Sequence, residues 1–425
     1  MTVTTRPAYM LNKRDRIFTN INGVDESDLQ SCMKRGDWND TQKIIANGKK
    51  YILDEVRKSE LRGRSGAGLL TYKKWEEILT SKQLPHYLCI NGNESEPGTC
   101  KDRQILQNEP QKIIEGAFLA SYALDVHRCY VYVRGHYTKE AKRLQLAIDE
   151  AKKANLIGKN NKFGWDFEIN VHPGAGAYVC GEQTGLMTSL EGNPGTPRQK
   201  PPQPFEKGLF QCPTVVDNVE TISTISSICR RGGKWFSSLG IPGSRGPKIY
   251  QISGHVNRPC IVEETLGMSL KELIDVHGSG VRGGWDNLQC IIPGGTSCPP
   301  ITKEQAKNAI LGFDEMSKIG SGLGTGSLVV IDNTADIVEV YRRIANFYKD
   351  ECCGQCKQCV EGTETMAEIF DKIARGKGTK DDVKHLEEVA FGMKKYICSF
   401  SVGASDPIRG FLKVFKNKLL ERCIH

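Results

Sequence analysis

From about residue 50 to 235, short apolar runs alternate with stretches of helical period. "YLCIN" (87–91), "CYVYVRG" (129–135) and "FEINVH" (167–172) have the length and β-branched or aromatic content of strands. Residues 137–154 place Leu144, Ile148 and Ala151 on one helical face. Strands alternating with helices predict an α/β layer. A Gly- and Pro-rich break, "LGIPGSRGPK" (239–248), closes this region. Beyond it "KIYQISG" and "SLVVID" read as strands, and "SLKELIDVHG" as a short helix ended by Gly278. From 333 onward the period is helical. Ile337, Val340, Tyr341, Ile344 and Phe347 form one apolar stripe, and three further helical patterns follow.

These patterns divide the 425 residues into an N-terminal extension (1–50), an α/β domain (51–240), a smaller mixed domain (241–332) and a helical domain (333–425). Hydrophobic residues make up 39% and charged residues 25%, the balance of a globular protein. No apolar run approaches the ~20 residues of a membrane-spanning helix. The net charge of +8 is dispersed along the chain without a long basic run, which argues against a nucleic-acid arm. Arg6, Lys13 and Arg14 precede the first acid, Asp15. That bias resembles the end of an organelle transit peptide, and an unstructured tail accounts for it equally well.

The 16 cysteines lack the regular spacing of a secreted disulfide scaffold, so a reducing compartment is expected. Cys89, Cys180 and Cys229 lie in apolar surroundings and read as core. Four others, Cys352, Cys353, Cys356 and Cys359, crowd into eight positions. Cys353, Cys356 and Cys359 form C-x2-C-x2-C, and Cys398 follows 39 residues later, at what reads as the end of another helical segment. Three close thiolates and one distant one suit a [4Fe–4S] cube, which takes four sulfur ligands. Structural zinc, usually held by two C-x2-C pairs, and buried free thiols are the alternatives. Cys352 breaks the step of three and is expected beside the cluster rather than bound to it.

Two glycine-rich turns precede possible helices. "ELRGRSGAGLLTYKKW" (60–75) offers backbone amides, with Arg64, Lys73 and Lys74 as charges. "HPGAGAYVCGEQTGLMTSLEG" (172–192) has Gly174, Gly176 and Gly181. Either alone reads as a turn; together, upstream of an iron–sulfur motif, they suggest a flavin or nucleotide site. "NGNESEPGTCKDR" (91–103) follows a strand and carries Glu94, Glu96 and Asp102.

"RIFTNINGVDESDLQSCMKRGDW", "LRGRSGAGLLTYKKW", "NGNESEPGTCKDR", "GAGAYVCGEQTGLMTSLEGNPGTPR", "PTVVDNVETI" and "CGQCKQC" occur in this order. From about residue 13 to the end the chain closely resembles the family of NADH-binding flavoprotein (51-kDa) subunits of respiratory complex I. The resemblance implies a Rossmann-like FMN/NADH domain, a ubiquitin-like β-grasp (SLBB-type) domain and a helical bundle with a [4Fe–4S] cluster. It implies oxidation of NADH through FMN, with electrons passed singly to the cluster and onward towards quinone. Implied FMN contacts are Gly63, Arg64, Gly66, Lys74, Asn91, Glu94, Gly181, Glu182, Asn218 and Thr221, with Glu96 at the dinucleotide ribose. Implied cluster ligands are Cys353, Cys356, Cys359 and Cys398. Implied partners are a thioredoxin-like [2Fe–2S] 24-kDa-type subunit and the large iron–sulfur subunit, in the peripheral arm on the matrix side of the mitochondrial inner membrane.

The chain departs from the family at several positions. Ser65 replaces a glycine. Leu69, Glu77 and Gln203 stand where aromatic residues stack the dinucleotide, and Asn93 and Gln183 replace acids. In the cluster loop, Gln358 replaces proline and Val360 arginine. Stacking contributes roughly 1–3 kcal/mol per base, so these changes predict weakened NADH binding. Two further readings follow: a structural subunit that keeps fold and cluster but has lost NADH binding, with or without loss of FMN, and a diaphorase subunit of a soluble hydrogenase or formate dehydrogenase.

Overall fold

In a computed structural model the described residues are 10–424; Arg6, part of the N-terminal basic bias, lies outside them. The α/β domain is built on a four-stranded parallel sheet: β1 (His86–Gly92), β2 (Val126–Val133), β3 (Glu168–Pro173) and β4 (Thr214–Asn218), in spatial order β3-β2-β1-β4. All-parallel strands need crossover connections, and these are helical. In chain order the longer helices are α1 (Lys49–Ser59), α2 (Thr71–Leu79), α3 (Lys101–Asn108), α4 (Pro110–Leu124), α5 (Thr138–Lys153), α6 (Gln183–Leu190) and α7 (Val219–Arg231).

One sheet face is covered by α4, α5 and α7, whose Ile113, Phe118, Leu144, Ile148, Ile222 and Ile225 are fully buried with Leu88, Ile90 and Val131 of the strands. The other face carries a smaller core of Cys89, Tyr132, Cys180, Leu186 and Met187. The predicted strands and the 137–154 helix are present, and Cys89, Cys180 and Cys229 are core residues. Helix α4 has no solvent face: all but Tyr122 of its residues are buried. It therefore lacks the amphipathic signature that reveals a surface helix.

The mixed domain holds a five-stranded sheet from β5 (Pro247–Gly254), β6 (Cys260–Thr265), β7 (Leu288–Ile292), β8 (Ile301–Thr302) and β9 (Ser327–Asp332), ordered β8-β7-β9-β5-β6. Only β9 and β5 run parallel; the other pairs are antiparallel. Helices α8 (Leu270–His277) and α9 (Phe313–Lys318) belong to this domain, with Leu270, Leu273, Ile274 and Met316 among its buried core.

The C-terminal domain comprises α10 (Ile337–Asp350), α11 (Lys357–Ala374), α12 (Lys380–Gly392) and α13 (Phe400–Leu420) around Tyr341, Ile344, Met366, Phe370, Leu386 and Phe411. Residue 10 onward is tied into the fold. The backbone amides of Ile17 and Phe18 donate to Glu263, that of Leu11 to Glu264, and Ile17, Phe18 and Ile21 enter the main core.

Candidate functional site

The carboxyl ends of β1 and β4 lie side by side at the point where chain order reverses, the place where open parallel sheets form a crevice. Asn91 ends one strand and Asn218 the other, and Asn218 donates to the Asn91 carbonyl at 3.2 Å. A cavity of about 740 Å³ opens there, of the size that holds a cofactor with part of a substrate. Its walls come from all three domains: the 62–67 turn, the 91–102 loop and Gly181 of the α/β domain, Gly294 and Leu323–Thr325 of the mixed domain, and Cys398 to Gly403 of the bundle.

The glycines set the cavity's shape. Gly66 has φ +123°, a backbone that side-chain-bearing residues rarely adopt, and faces the Gly324 backbone. Gly68 (φ +62°) lies so close to the Phe313 ring that an added Cβ would meet it at 2.6 Å. Ser65, the departure in this turn, is exposed and on the wall.

A buried chain of charges runs along the cavity floor. Lys101, 1% exposed, reaches Asp102 at 2.7 Å, Asn218 Oδ1 at 2.9 Å and Glu220 at 3.1 Å. Lys248 follows, 3.6 Å from Glu220; burial holds its ammonium down at about 7. At the other end Glu94 accepts from the amides of Asp102 (2.9 Å) and Arg103 (3.0 Å), filling the orphan donors that begin α3. Burial, then the Asp102 charge, push Glu94 up to about 7, against the pull of Lys101.

Of the residues that the family resemblance points to, Gly66, Asn91, Glu94, Glu96, Gly181, Glu182 and Asn218 are gathered on the cavity wall. Gly63, Arg64, Lys74 and Thr221 are not among its lining residues. Arg64 is buried and turned into the domain junction, donating to the carbonyls of Arg245 (3.0 Å) and Pro247 (2.9 Å), while its amide donates to Thr221 Oγ1. Lys74 is held by the Val216 carbonyl and the Asp217 carboxylate. Glu96 spends both oxygens on structure: one accepts from the Ser297 amide, the other from the Tyr178 hydroxyl at 2.7 Å. Glu182 caps α6 through Thr184 and Gly185 and pairs with Lys200 at 2.8 Å. The pattern did not single out Arg62, which lines the cavity with its guanidinium 4.4 Å from the Phe313 ring centre.

The positions expected to carry lost stacking contacts lie off this wall. Leu69 is 64% exposed, Glu77 is exposed on α2, and Gln203 caps the short helix Pro204–Lys207. Tyr72 belongs to a separate cleft with Trp75, and Phe205 packs against the main core. The aromatic surface of the cavity is instead Tyr178, Phe313 and Phe400, drawn from three domains. Asn93 is on the wall, whereas Gln183 is not among its lining residues and begins α6.

The cavity fits a flavin. Asn93 Oδ1 is buried without a partner, an acceptor awaiting an N–H such as the flavin ring edge carries. Gly66, Gly181 and Gly324 leave backbone, not side chains, against a flat ring. The N-terminus of α7, capped by Asn218, brings its positive dipole end to the same crevice, which suits a phosphate.

The second centre adjoins the first. Cys352, Cys353, Cys356, Cys359 and Cys398 line one small pocket with Ile397 and Phe400. Cys353 and Cys356 lie between α10 and α11, and Cys359 is on the first turn of α11. Cys398 lies in the connection between α12 and α13, two residues before α13, rather than at the end of a helix. Among the described residues no group of three or more His, Cys, Asp or Glu converges on one ion. A cube fits this arrangement better than zinc, because its four ligands bind four different irons and their sulfurs stand further apart. Burial pushes the Cys353, Cys359 and Cys398 thiols up. Cluster binding, which requires thiolates, therefore releases protons.

Glu94 gives this cavity a pH dependence. Above about 7 its carboxylate adds a negative charge. A like charge ~10 Å away through an effective dielectric of ~20 is worth ~1.7 kcal/mol. NADH affinity is expected to fall about tenfold from pH 6 to 8, and this slope to vanish in Glu94→Gln. Titrating NADH into the purified assembly at several pH values checks this; an equal slope in both proteins would rule Glu94 out as its source.

Three family models match the chain: Nuo51 FMN-binding domain over residues 56–227, SLBB domain over 248–330, and NADH-ubiquinone oxidoreductase-F iron-sulfur binding region over 339–422. The F-type subunit of NADH-quinone oxidoreductase from Rickettsia bellii is 48% identical over 415 residues, covering 97% of this chain and 100% of that protein. An F-type subunit of the same enzyme from Rhizobium meliloti is 46% identical, covering 97% and 96%. A crystal structure of NAD+-reducing [NiFe]-hydrogenase in the H2-reduced state superposes with TM-score 0.82 at 30% identity. It covers 96% of this chain, which spans 66% of the hydrogenase chain.

Proposed function

The chain belongs to the family of F-type subunits of NADH-quinone oxidoreductase, and from that premise we propose that it is the electron-entry subunit, oxidising NADH and passing electrons singly to its cluster and on towards quinone. It is an oxidoreductase subunit carrying the family's FMN-binding and iron–sulfur regions. When bound, FMN supplies the conversion the reaction needs, taking two electrons together and releasing them one at a time. Gly66, Asn91, Glu94, Gly181 and Asn218 would hold it, with Arg64, Lys74 and Thr221 fixing the elements behind them. Cys353, Cys356, Cys359 and Cys398 would hold the cube.

The observation that carries this reading is the shared wall. Cys398 and Phe400 line both the flavin-sized cavity and the cysteine pocket, so the two adjoin across these side chains. Tyr178 and Phe313 offer the planar surface a nicotinamide or adenine ring needs, which argues against the purely structural reading. The diaphorase reading draws on the hydrogenase likeness, but near-complete coverage of the Rickettsia and Rhizobium relatives at 46–48% identity favours the quinone-linked complex.

On this reading the partners are the [2Fe–2S] 24-kDa-type and large iron–sulfur subunits. Among the described residues no helix is long and apolar enough to cross a membrane. The relatives named above are bacterial, so a place on the mitochondrial matrix side rests on the resemblance alone. The test is to denature the purified assembly and quantify FMN and iron against this chain. About one FMN per chain, with four iron atoms per chain beyond those of the partner subunits' clusters and flavin absorbance bleached by NADH, is expected. Iron without FMN would replace this reading with the structural one.

A further inference from the structure

Cys352 remains without a part in this scheme. Its Sγ lies 3.8 Å from Cys359 Sγ, within reach of an S–H···S hydrogen bond in which Cys352 must be the donor once Cys359 is a thiolate ligand. Cys352 is half-buried two residues past the end of α10 and lines the pocket formed by the four cysteines assigned as ligands. We propose that Cys352 is a positioning residue that donates an S–H···S hydrogen bond to the ligand sulfur of Cys359 and thereby raises the reduction potential of the cluster. The proposal rests on the assignment of Cys353, Cys356, Cys359 and Cys398 as ligands.

The physical reason is the charge change on reduction. An added electron places more negative charge on the cluster sulfurs, including the ligand thiolates. A donor aimed at one of them stabilises the reduced state more than the oxidised one. The thiol is a weak donor, so the effect is a modest adjustment of potential rather than a condition for assembly. Cys359 is buried, so little solvent competes for its sulfur. Lys357, the nearest cation on α11, is engaged with Glu361 at 3.6 Å and points to solvent, leaving Cys352 as the donor that the structure shows at this sulfur.

Three variants of the intact assembly test it: Cys352→Ala, Cys352→Ser and Cys359→Ala. Iron content, the reduced-state EPR signal and its midpoint potential are the readouts. Cys352→Ala should keep full iron and the EPR signal while its potential falls. The expected fall is threefold to tenfold in the equilibrium constant, or about 28–59 mV for one electron. Cys352→Ser, which keeps a donor, should recover part of the shift. Loss of iron in Cys352→Ala would make Cys352 a ligand and overturn the proposal, as would an unchanged potential. Full iron in Cys359→Ala would instead refute the ligand assignment beneath it, so the two failures are distinguishable.

Discussion

Cys398→Ser is expected to remove the cluster and to lower the stability of the C-terminal domain. Cys398 lies in the connection between α12 and α13, whereas the other three assigned ligands lie at the α10–α11 junction. A cluster bound to all four ties the start of α13 to the start of α11. Removing one ligand removes that cross-link, and binding free energy lost in this way is folding free energy. The bundle keeps its own apolar core, with Tyr341, Phe370 and Phe411 fully buried, so it should stay collapsed and melt earlier rather than unfold. Iron content and reduced-state EPR measure the first effect, and thermal unfolding followed by circular dichroism the second. Unchanged iron and EPR would remove Cys398 from the ligand set.

The same residue shows what the sequence carried. The C-x2-C-x2-C spacing is local, so it could be read directly, and the fourth thiol followed from the need for four ligands. Its setting could not be read, because helical period continues into the 393–399 connection. Strands β1, β5 and β9 were legible since each is a short apolar run bounded by turn residues. Helix α4 was not, because a helix buried on every side has no period to detect.

The cavity was the least legible part. Its wall depends on pairings across long separations: Arg64 with the Pro247 carbonyl, Lys74 with Asp217, and Phe313 against Gly68. Motif matching could place Arg64 and Lys74 near a cofactor. It could not show that carbonyls and an aspartate supplied from elsewhere turn both away from the cavity. It likewise located aromatic loss at positions 69, 77 and 203, while the rings that face the cavity come from other segments.

Lys101→Met should produce the largest loss in the α/β domain. Lys101 is the cation shared by Asp102 and Glu220, and its third bond holds Asn218 Oδ1. Methionine fills similar volume but takes away the cation in contact with both Asp102 and Glu220, leaving Lys248 3.6 Å from Glu220 and the Asn218 amide on Asp102. Breaking a buried ion pair in this way costs ~3–5 kcal/mol. The pH dependence distinguishes this cause from poor packing. The Lys101 pKa is raised above its usual 10.5 by its acidic neighbours, so its contribution is fully present below 10.5 and does not vary between pH 5 and 8. The Glu220 and Glu94 carboxylates do vary: the Lys101 charge pulls both down, so without it their folded pKa values rise, and they bind protons as the pH falls. The deficit of the variant should therefore be largest at pH 8 and shrink towards pH 5, and adding Asp102→Asn should recover part of it at pH 8. Denaturant unfolding at the two pH values measures both effects. A deficit below ~1 kcal/mol, or one independent of pH, would show that Lys101 does not neutralise the acids at the cavity floor.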